Sequence, residues 1–286
     1  MMPTFETPRP ITVDVELGVG DIRIDASERT DTVVEVLPSD PGKPGDVTAA
    51  EQTRVDLAGA RLVIRGPRGW RQWTPWGGRE SIDVRISVPI GSEIQGEAGV
   101  AALRSTGELG AFRFKTGAGD IDVDRAGAVA IRTGAGDVRV GHAAGNLAAS
   151  TGSGVVRIAA VDGSAVIKNS NRETTVGDVG GDLRVNAANG DISIDRAGAT
   201  VTVKTANGDI SLGEVAPGAV VAQTAFGKID VGIREGVAAW LDLDTSFGRV
   251  RNDLTDTDRP DAGEETVEVR ARTSYGDISI RRAPAG

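Results

Sequence analysis

Apolar and polar residues alternate in short runs along most of this chain. Leu183-Arg184-Val185 and Ile192-Ser193-Ile194 are typical, separated by NAANGD. A period of two marks a β-strand with one buried face, so Leu183, Val185, Ile192 and Ile194 point the same way. One phrase recurs: Gly, often Asp, then apolar–x–apolar. It stands as GDIDV at 119–123, GDVRV at 136–140, GVVRI at 154–158, GDISI at 190–194, GDISL at 208–212, GKIDV at 227–231 and GDISI at 276–280. A copy without its Gly is found by aligning IKNSNRETTV at 167–176 with VKTANGDISL at 203–212, which places Arg172 at the Gly position. The recurring position is then 119, 136, 154, 172, 190, 208, 227, 248 and 276. Its spacing is 17 to 19 residues up to 227 and widens after that, with insertions around 233–240 and 253–266.

Each unit holds two short strands joined by Asn-Gly or Ala-Gly, which tolerate positive φ. Asn-Gly also marks antiparallel hairpins, so a meander is one reading. The regular period favours a parallel solenoid, in which each unit of about 18 residues is one coil and like residues stack into columns. One inward column runs Ile121, Val138, Val156, Thr174, Ile192, Ile210, Ile229, Val250, Ile278. A second runs Val123, Val140, Ile158, Val176, Ile194, Leu212, Val231, and a third Phe114, Ile131, Ala149, Ile167, Val185, Val203. The expected fold is all-β, a single elongated parallel β-solenoid. Residues 1–100 read as an atypical N-terminal cap and modified first coils, continuous as one domain with the regular coils of 101–286. Strand-like runs there are 11–17, 21–25, 32–37, 61–65 and 82–88, and SDPGKPGD at 39–46 reads as a surface loop.

Composition supports thin, similar layers. Aromatics are 3% of the chain and Gly numbers 39, so the core is built from Val, Ile, Leu and Ala. The net charge of −9 argues against binding a phosphate backbone. There is no Cys and one His, His142, which excludes disulfides, thiolate sites and His-based triads. No signal segment or apolar span is read, so a cytoplasmic location without membrane insertion is expected.

The ordered set GVGDIRI at 18–24, SIDVRISVPIGSEI at 81–94 and serial TGAGDIDV, TGAGDVRV and TANGDISL resembles the bacterial "putative adhesin" family of β-strand-repeat proteins, a domain of unknown function. The resemblance covers roughly residues 10–282. It implies a β-solenoid or β-roll and brings no catalytic residues with it.

Several columns invite chemistry. The outward Asp120, Asp137, Asp191, Asp209 and Asp277 suggest a calcium ladder, but the sequence does not match the calcium-binding nonapeptide, and Arg172, Lys228 and Arg249 interrupt the column. DIDVDRAG at 120–127 departs from an EF-hand loop at its Gly and Glu positions. GAGD at 117–120 and 134–137 lacks the third Gly and the helix of a dinucleotide loop. Thr116, Thr133, Thr151, Thr205, Thr224, Thr245 and Thr273 share parity with the core, so their methyls face inward and their hydroxyls reach the turn. His142, in GHAAGN, reads as exposed and inert.

Phe226, Phe247 and Tyr275 each precede the recurring Gly in the late coils. They form either an edge that stacks sugars or partner side chains, or a local ladder covering the late insertions. WRQWTPW at 70–76 reads as a loop whose Trp70, Trp73 and Trp76 cap the solenoid end or meet a partner. No catalytic, cofactor or metal site is expected. The leading function is a non-enzymatic binding or scaffold protein, adhesin-like in architecture, with an unidentified protein or glycan partner and room for a homo-oligomer. A self-assembling structural solenoid stacking end to end comes second, and a polysaccharide-acting enzyme third, since a straight solenoid offers no cleft for two converging acids.

Overall fold

A computed structural model of the chain describes residues 2–67, 80–254 and 265–284. The described residues are almost entirely β, with one helix of nine residues. Two compact units are distinguished, Met1–His142 and Ala143–Gly286.

The first unit comprises β1 (Thr4–Glu6), β2 (Thr12–Ser27), β3 (Asp31–Pro38), α1 (Pro44–Gln52), β4 (Arg54–Ala58), β5 (Arg61–Arg65), β6 (Ile82–Pro89), β7 (Glu93–Leu109), β8 (Phe112–Ala118), β9 (Ile121–Ala126), β10 (Val129–Ala135) and β11 (Val138–Ala143). The long strands β2 and β7 each make a whole coil. They pair in parallel from Thr12↔Glu93 to Ala26↔Gly107. On its other edge β2 carries β5 over Thr12–Glu16 and β6 over Gly20–Ser27, also parallel. The repeat phrase at 18–24 is therefore not in the first layer. The chain makes β2, returns to lay β5 and β6 beneath it, then lays β7 above.

The β5–β6 layer is closed by antiparallel strands, β4 on β5, β3 on β6 and β1 on β3. Antiparallel strands at the edge end the parallel ladder. The sequence predicts loop throughout 39–46. Residues from Pro44 instead begin α1, which buries Ala49 and Ala50 and contacts β3 and β6. Asp46 is buried at its start, where its carboxylate accepts from the Asp40 and Ser81 amides at 3.2 and 3.0 Å. A helix this short, starting Pro-Gly, has too little apolar periodicity to be seen in sequence.

The second unit comprises β12 (Leu147–Ser153), β13 (Val156–Val161), β14 (Ala165–Asn171), β15 (Thr174–Val179), β16 (Leu183–Asn189), β17 (Ile192–Ala197), β18 (Val201–Lys204), β19 (Ile210–Val215), β20 (Gly218–Phe226), β21 (Ile229–Ile233), β22 (Ala238–Phe247), β23 (Val250–Asn252), β24 (Thr266–Tyr275) and β25 (Ile278–Arg282). Coils are strand pairs. The first strand of each pairs in parallel with the first strand of the next, and the second with the second. A coil of two strands must return to its start one layer on, so its strands run out along one wall and back along the other.

The inward columns are as read except at Val250. Val156, Thr174, Ile192, Ile210, Ile229 and Ile278 are all buried, as are Ile158, Val176, Ile194, Leu212 and Val231. Stacking like on like fills the narrow space between the walls without large side chains.

The stacking order departs from chain order at the end. β24 pairs with both β20 and β22, and β25 with both β21 and β23. The column therefore runs Ile229, Ile278, Val250, and the last coil of the chain lies between the two before it. Ile278 and Ile280 are fully buried there, while Val250 on the outermost coil is 47% exposed. The coil left outside is the one whose second strand has only three residues and the shortest ladder.

Arg172 tests the alignment most sharply. It has φ 119°, and no other described non-Gly residue has a positive φ. Gly190 and Gly208, at the same corner, have φ 122° and 140°. A Cβ on Gly190 would lie 2.2 Å from the Arg172 carbonyl oxygen. The corner at Arg172 does carry a Cβ, and the bond beneath it, from the Gly154 amide to the Asn171 carbonyl, is stretched to 3.4 Å, against 2.8 Å from Gly190 to Asn207. Asn169 takes the Thr position in this coil. It is buried and its Nδ2 donates to the Arg172 and Gly154 carbonyls at 3.0 and 3.1 Å.

Two stability predictions follow from this register. Ile210→Ala is expected to cost about 2–4 kcal/mol by lost burial plus cavity. Ser211→Ala, one residue on and facing out, should stay within about 0.5 kcal/mol. Urea unfolding of both variants checks this, and equal costs would contradict the register. Arg172→Gly relieves a strain of order 1–3 kcal/mol against about 0.4–1 kcal/mol of added unfolded-chain entropy, so a net gain of about 1 kcal/mol is expected. A loss of stability in that variant would show that the corner is not strained.

Candidate functional site

Every corner of the second unit presents the residue before the recurring position on an exposed edge, so the column at that place is a surface strip. It reads Asn171, Asn189, Asn207, Phe226, Tyr275, Phe247 in stacking order. The Asn part is a hydrogen-bonded ladder: Nδ2 of Asn189 donates to Oδ1 of Asn171 at 3.0 Å, and Nδ2 of Asn207 to Oδ1 of Asn189 at 2.9 Å. The aromatic part is a stack. Phe226 and Tyr275 have ring centroids 5.0 Å apart at 3°, and Tyr275 and Phe247 4.8 Å apart at 8°.

The three predicted aromatic residues are thus brought together, with Tyr275 in the middle. Exposures are 54% for Phe226, 49% for Tyr275 and 66% for Phe247. Both faces of Tyr275 are taken by its neighbours, so the strip shows ring edges. Among the described residues, the outer face of Phe247 meets no further ring. Sugar C–H groups dock on ring faces, and in this stack Tyr275 offers neither of its own.

Trp70, Trp73 and Trp76 lie outside the described residues. The sequence reading missed Trp240 on β22, which is 57% exposed. The signal was present: Trp240 has the parity of Asp242 and Asp244, the outward side of an alternating strand. His142, read as exposed, is half-buried.

The Asp column has a structural task. Oδ1 of Asp120 accepts from the Asp137 amide at 2.8 Å, Oδ1 of Asp191 from the Asp209 amide at 2.8 Å, and Oδ1 of Asp209 from the Lys228 amide at 2.7 Å. Asp277 accepts from the Arg249 amide at 2.9 Å. Each carboxylate therefore bridges to the next coil, and the receiving position needs only a backbone N–H, so Lys228 and Arg249 fit there. The Thr hydroxyls also bond the corners. Thr224 donates to the Gly208 carbonyl at 3.1 Å and Thr273 to that of Gly227 at 3.0 Å.

Elsewhere on the outer walls acids face Arg across neighbouring strands, as in Arg196–Asp178 at 3.1 Å and Arg272–Asp242 at 3.3 Å. Among the described residues, no group of three or more His, Cys, Asp or Glu is gathered as metal ligands. The hydrogen bond from Arg29 holds the exposed Asp31 carboxyl below the usual carboxylate range, and this is a surface ion pair at 2.9 Å.

The bridging role predicts a distinct pattern. Asp209→Ala removes the acceptor for the Lys228 amide and should cost about 1 kcal/mol, whereas Asp209→Asn keeps an oxygen there and should cost only a few tenths. Neither calcium nor chelator should move the melting temperature. Equal losses in the two variants, or a calcium-dependent melt, would assign the carboxylate another role.

The family model Toastrack DUF4097 matches residues 10–284. No curated protein matches the chain. Among solved structures, a "putative cell adhesion protein" from Clostridium sporogenes is 11% identical with a TM-score of 0.29, covering 99% of each chain. A "putative adhesin" from Parabacteroides merdae is 10% identical with a TM-score of 0.34, covering 99% of this chain and 96% of that one. A "putative lipid binding protein" from Parabacteroides distasonis is 11% identical with a TM-score of 0.33 and the same coverage. Among the described residues, no helix is long and apolar enough to cross a membrane.

Proposed function

The chain belongs to the Toastrack DUF4097 family, and on that premise we propose that it is a non-enzymatic binding protein whose contact surface is the Asn–aromatic strip of the second unit. The observation that carries this reading is the exposed, mutually stacked trio Phe226, Tyr275 and Phe247 beside an amide ladder. Three large apolar side chains kept half exposed in a chain with 3% aromatics are costly in water unless something covers them. The ladder fixes their rotamers, so little entropy is lost on contact.

The partner class follows from the presentation. Ring edges carry partial positive charge and dock against aromatic faces and carbonyl oxygens, and the Asn amides donate and accept along the same line. That combination suits a protein partner offering aromatic residues and backbone better than a sugar. The acids support a non-enzymatic reading, being engaged in coil-to-coil bridges and Arg pairs.

The test replaces Phe226, Tyr275 and Phe247 together by Ser. The outward rings lie outside the core, so the melting temperature should change modestly, while proteins cross-linked to the native chain should be lost. Glycan-array binding by the native chain that survives the triple change would overturn the assignment of the strip. An unchanged set of cross-linked partners would do so as well.

A further inference from the structure

We propose that two copies of this chain join head to head through the outermost coil of the second unit, β22–β23, about a two-fold axis running along its strands. Among the described residues, β22 pairs only with β24 and β23 only with β25, so one backbone edge of each is unpaired. The columns this coil ends are those buried elsewhere. Val269 and Ala271 on β24 are fully buried, but Leu241 and Leu243, their partners on β22, are only half-buried, and Val250 is 47% exposed where Ile278 is sealed. An unpaired edge with an apolar flank is a template for another strand.

The size fits a weak, specific dimer. A ten-residue strand is about 33 Å long, and two walls about 10 Å apart with their side chains span roughly 20 Å. Covering that face in both copies buries about 1,300 Å², at the lower end of specific interfaces.

Two observations select the second copy as the occupant and the same axis. The first is charge. β22 carries the exposed outward acids Asp242 and Asp244, and the return side carries exposed Arg249 and Arg251, which outnumber Asp253. An axis along the strands lays β22 of one copy antiparallel over β23 of the other and brings Asp244 level with Arg251 twice, while Asp242 lies level with Asp253. An axis across the strands would lay β22 on β22, with acid against acid. Neighbouring cross-strand positions lie about 5 Å apart, where like charges destabilise and opposite charges stabilise.

The second observation is the open face of Phe247 at the end of the ring stack. The axis along the strands keeps the corner edge on the same side in both copies. It therefore places Phe247 on Phe247 of the second copy and joins the two ladders into one column of six rings. The axis across the strands would put the two ladders on opposite edges. A two-fold contact uses the same patch twice, so assembly stops at two and yields no fibre.

This proposal uses the strip assigned above but is measured without any ligand, so failure here leaves the partner test standing, and the reverse. The native chain is sedimented over a dilution series. It should shift from monomer to dimer, and added salt should weaken the dimer. Asp244→Arg, and separately Arg251→Asp, should each be monomeric. Mixed in equal amounts, they should restore a dimer of one of each.

Circular dichroism and a melt accompany these variants. A second route does not depend on them. The chain has no cysteine, so Phe247→Cys introduces a single thiol, and ladder spacing lies within disulfide reach. Oxidised Phe247→Cys should become a covalent dimer, while Asp195→Cys, exposed in a middle coil, should not. A native chain that is monomeric at every concentration overturns the proposal. A dimer that survives either charge reversal, or that leaves Phe247→Cys uncross-linked, overturns the two-fold axis along the strands.

Discussion

The close approach of backbone to backbone at the corners governs the rest of the structure. Coils stack at β-ladder spacing only if the corner of one can sit against the corner of the next. At Gly208 an added Cβ would come within 2.2 Å of the Gly190 carbonyl oxygen. The recurring Gly is therefore a condition of the ladder, and the Thr and Asp beside it tie the same corner to its neighbours through hydroxyl and carboxylate. Where the Gly is missing, at Arg172, a ladder bond stretches and Asn169 supplies two donors to the crowded carbonyls. The defect and its compensation lie in one coil, as expected when each coil interacts only with its neighbours.

Stacking turns a residue choice into a column, and a column has properties a single residue lacks. One exposed Asn is ordinary surface, whereas three in register bond to one another and hold their amides in line. One exposed Phe is ordinary, whereas Phe226, Tyr275 and Phe247 stack on one another and cover both faces of the middle ring. The same register that buries Ile192, Ile210, Ile229 and Ile278 fixes the surface strip three residues before each of them, so core and contact edge are set by one repeat.

The repeat could be read from sequence because its period is chemical: Gly at the corner, β-branched residues inward, polar residues outward. That logic located the inward columns, the corner role of Arg172 and the aromatic trio. It could not supply the order of coils at either end. Like residues stack on like, so Ile229 accepts Ile278 as readily as Val250, and the choice depends on ladder length. The antiparallel closure by β1, β3 and β4 and the helix α1 follow no repeat and left no periodic signal. Trp240 is legible from its place on the polar side of an alternating strand, although it stands outside the Gly-centred phrase.

The swapped order at the end has a mechanical consequence. In a stack laid down in chain order, the outermost coil is also the chain terminus and can peel away one strand at a time. Here the outermost strands β22 and β23 are held by chain on both sides, while β24 and β25 are clamped between two layers. Fraying the outer coil would open a closed loop between β21 and β24, and releasing the terminal strands would break ladders on both of their edges. The coil that carries the open ring of Phe247 and the exposed Trp240 is thus tethered more firmly than an end coil otherwise would be. A contact surface loses affinity to its own disorder, and this topology removes that loss at the end of the stack where an exposed edge would otherwise be least ordered.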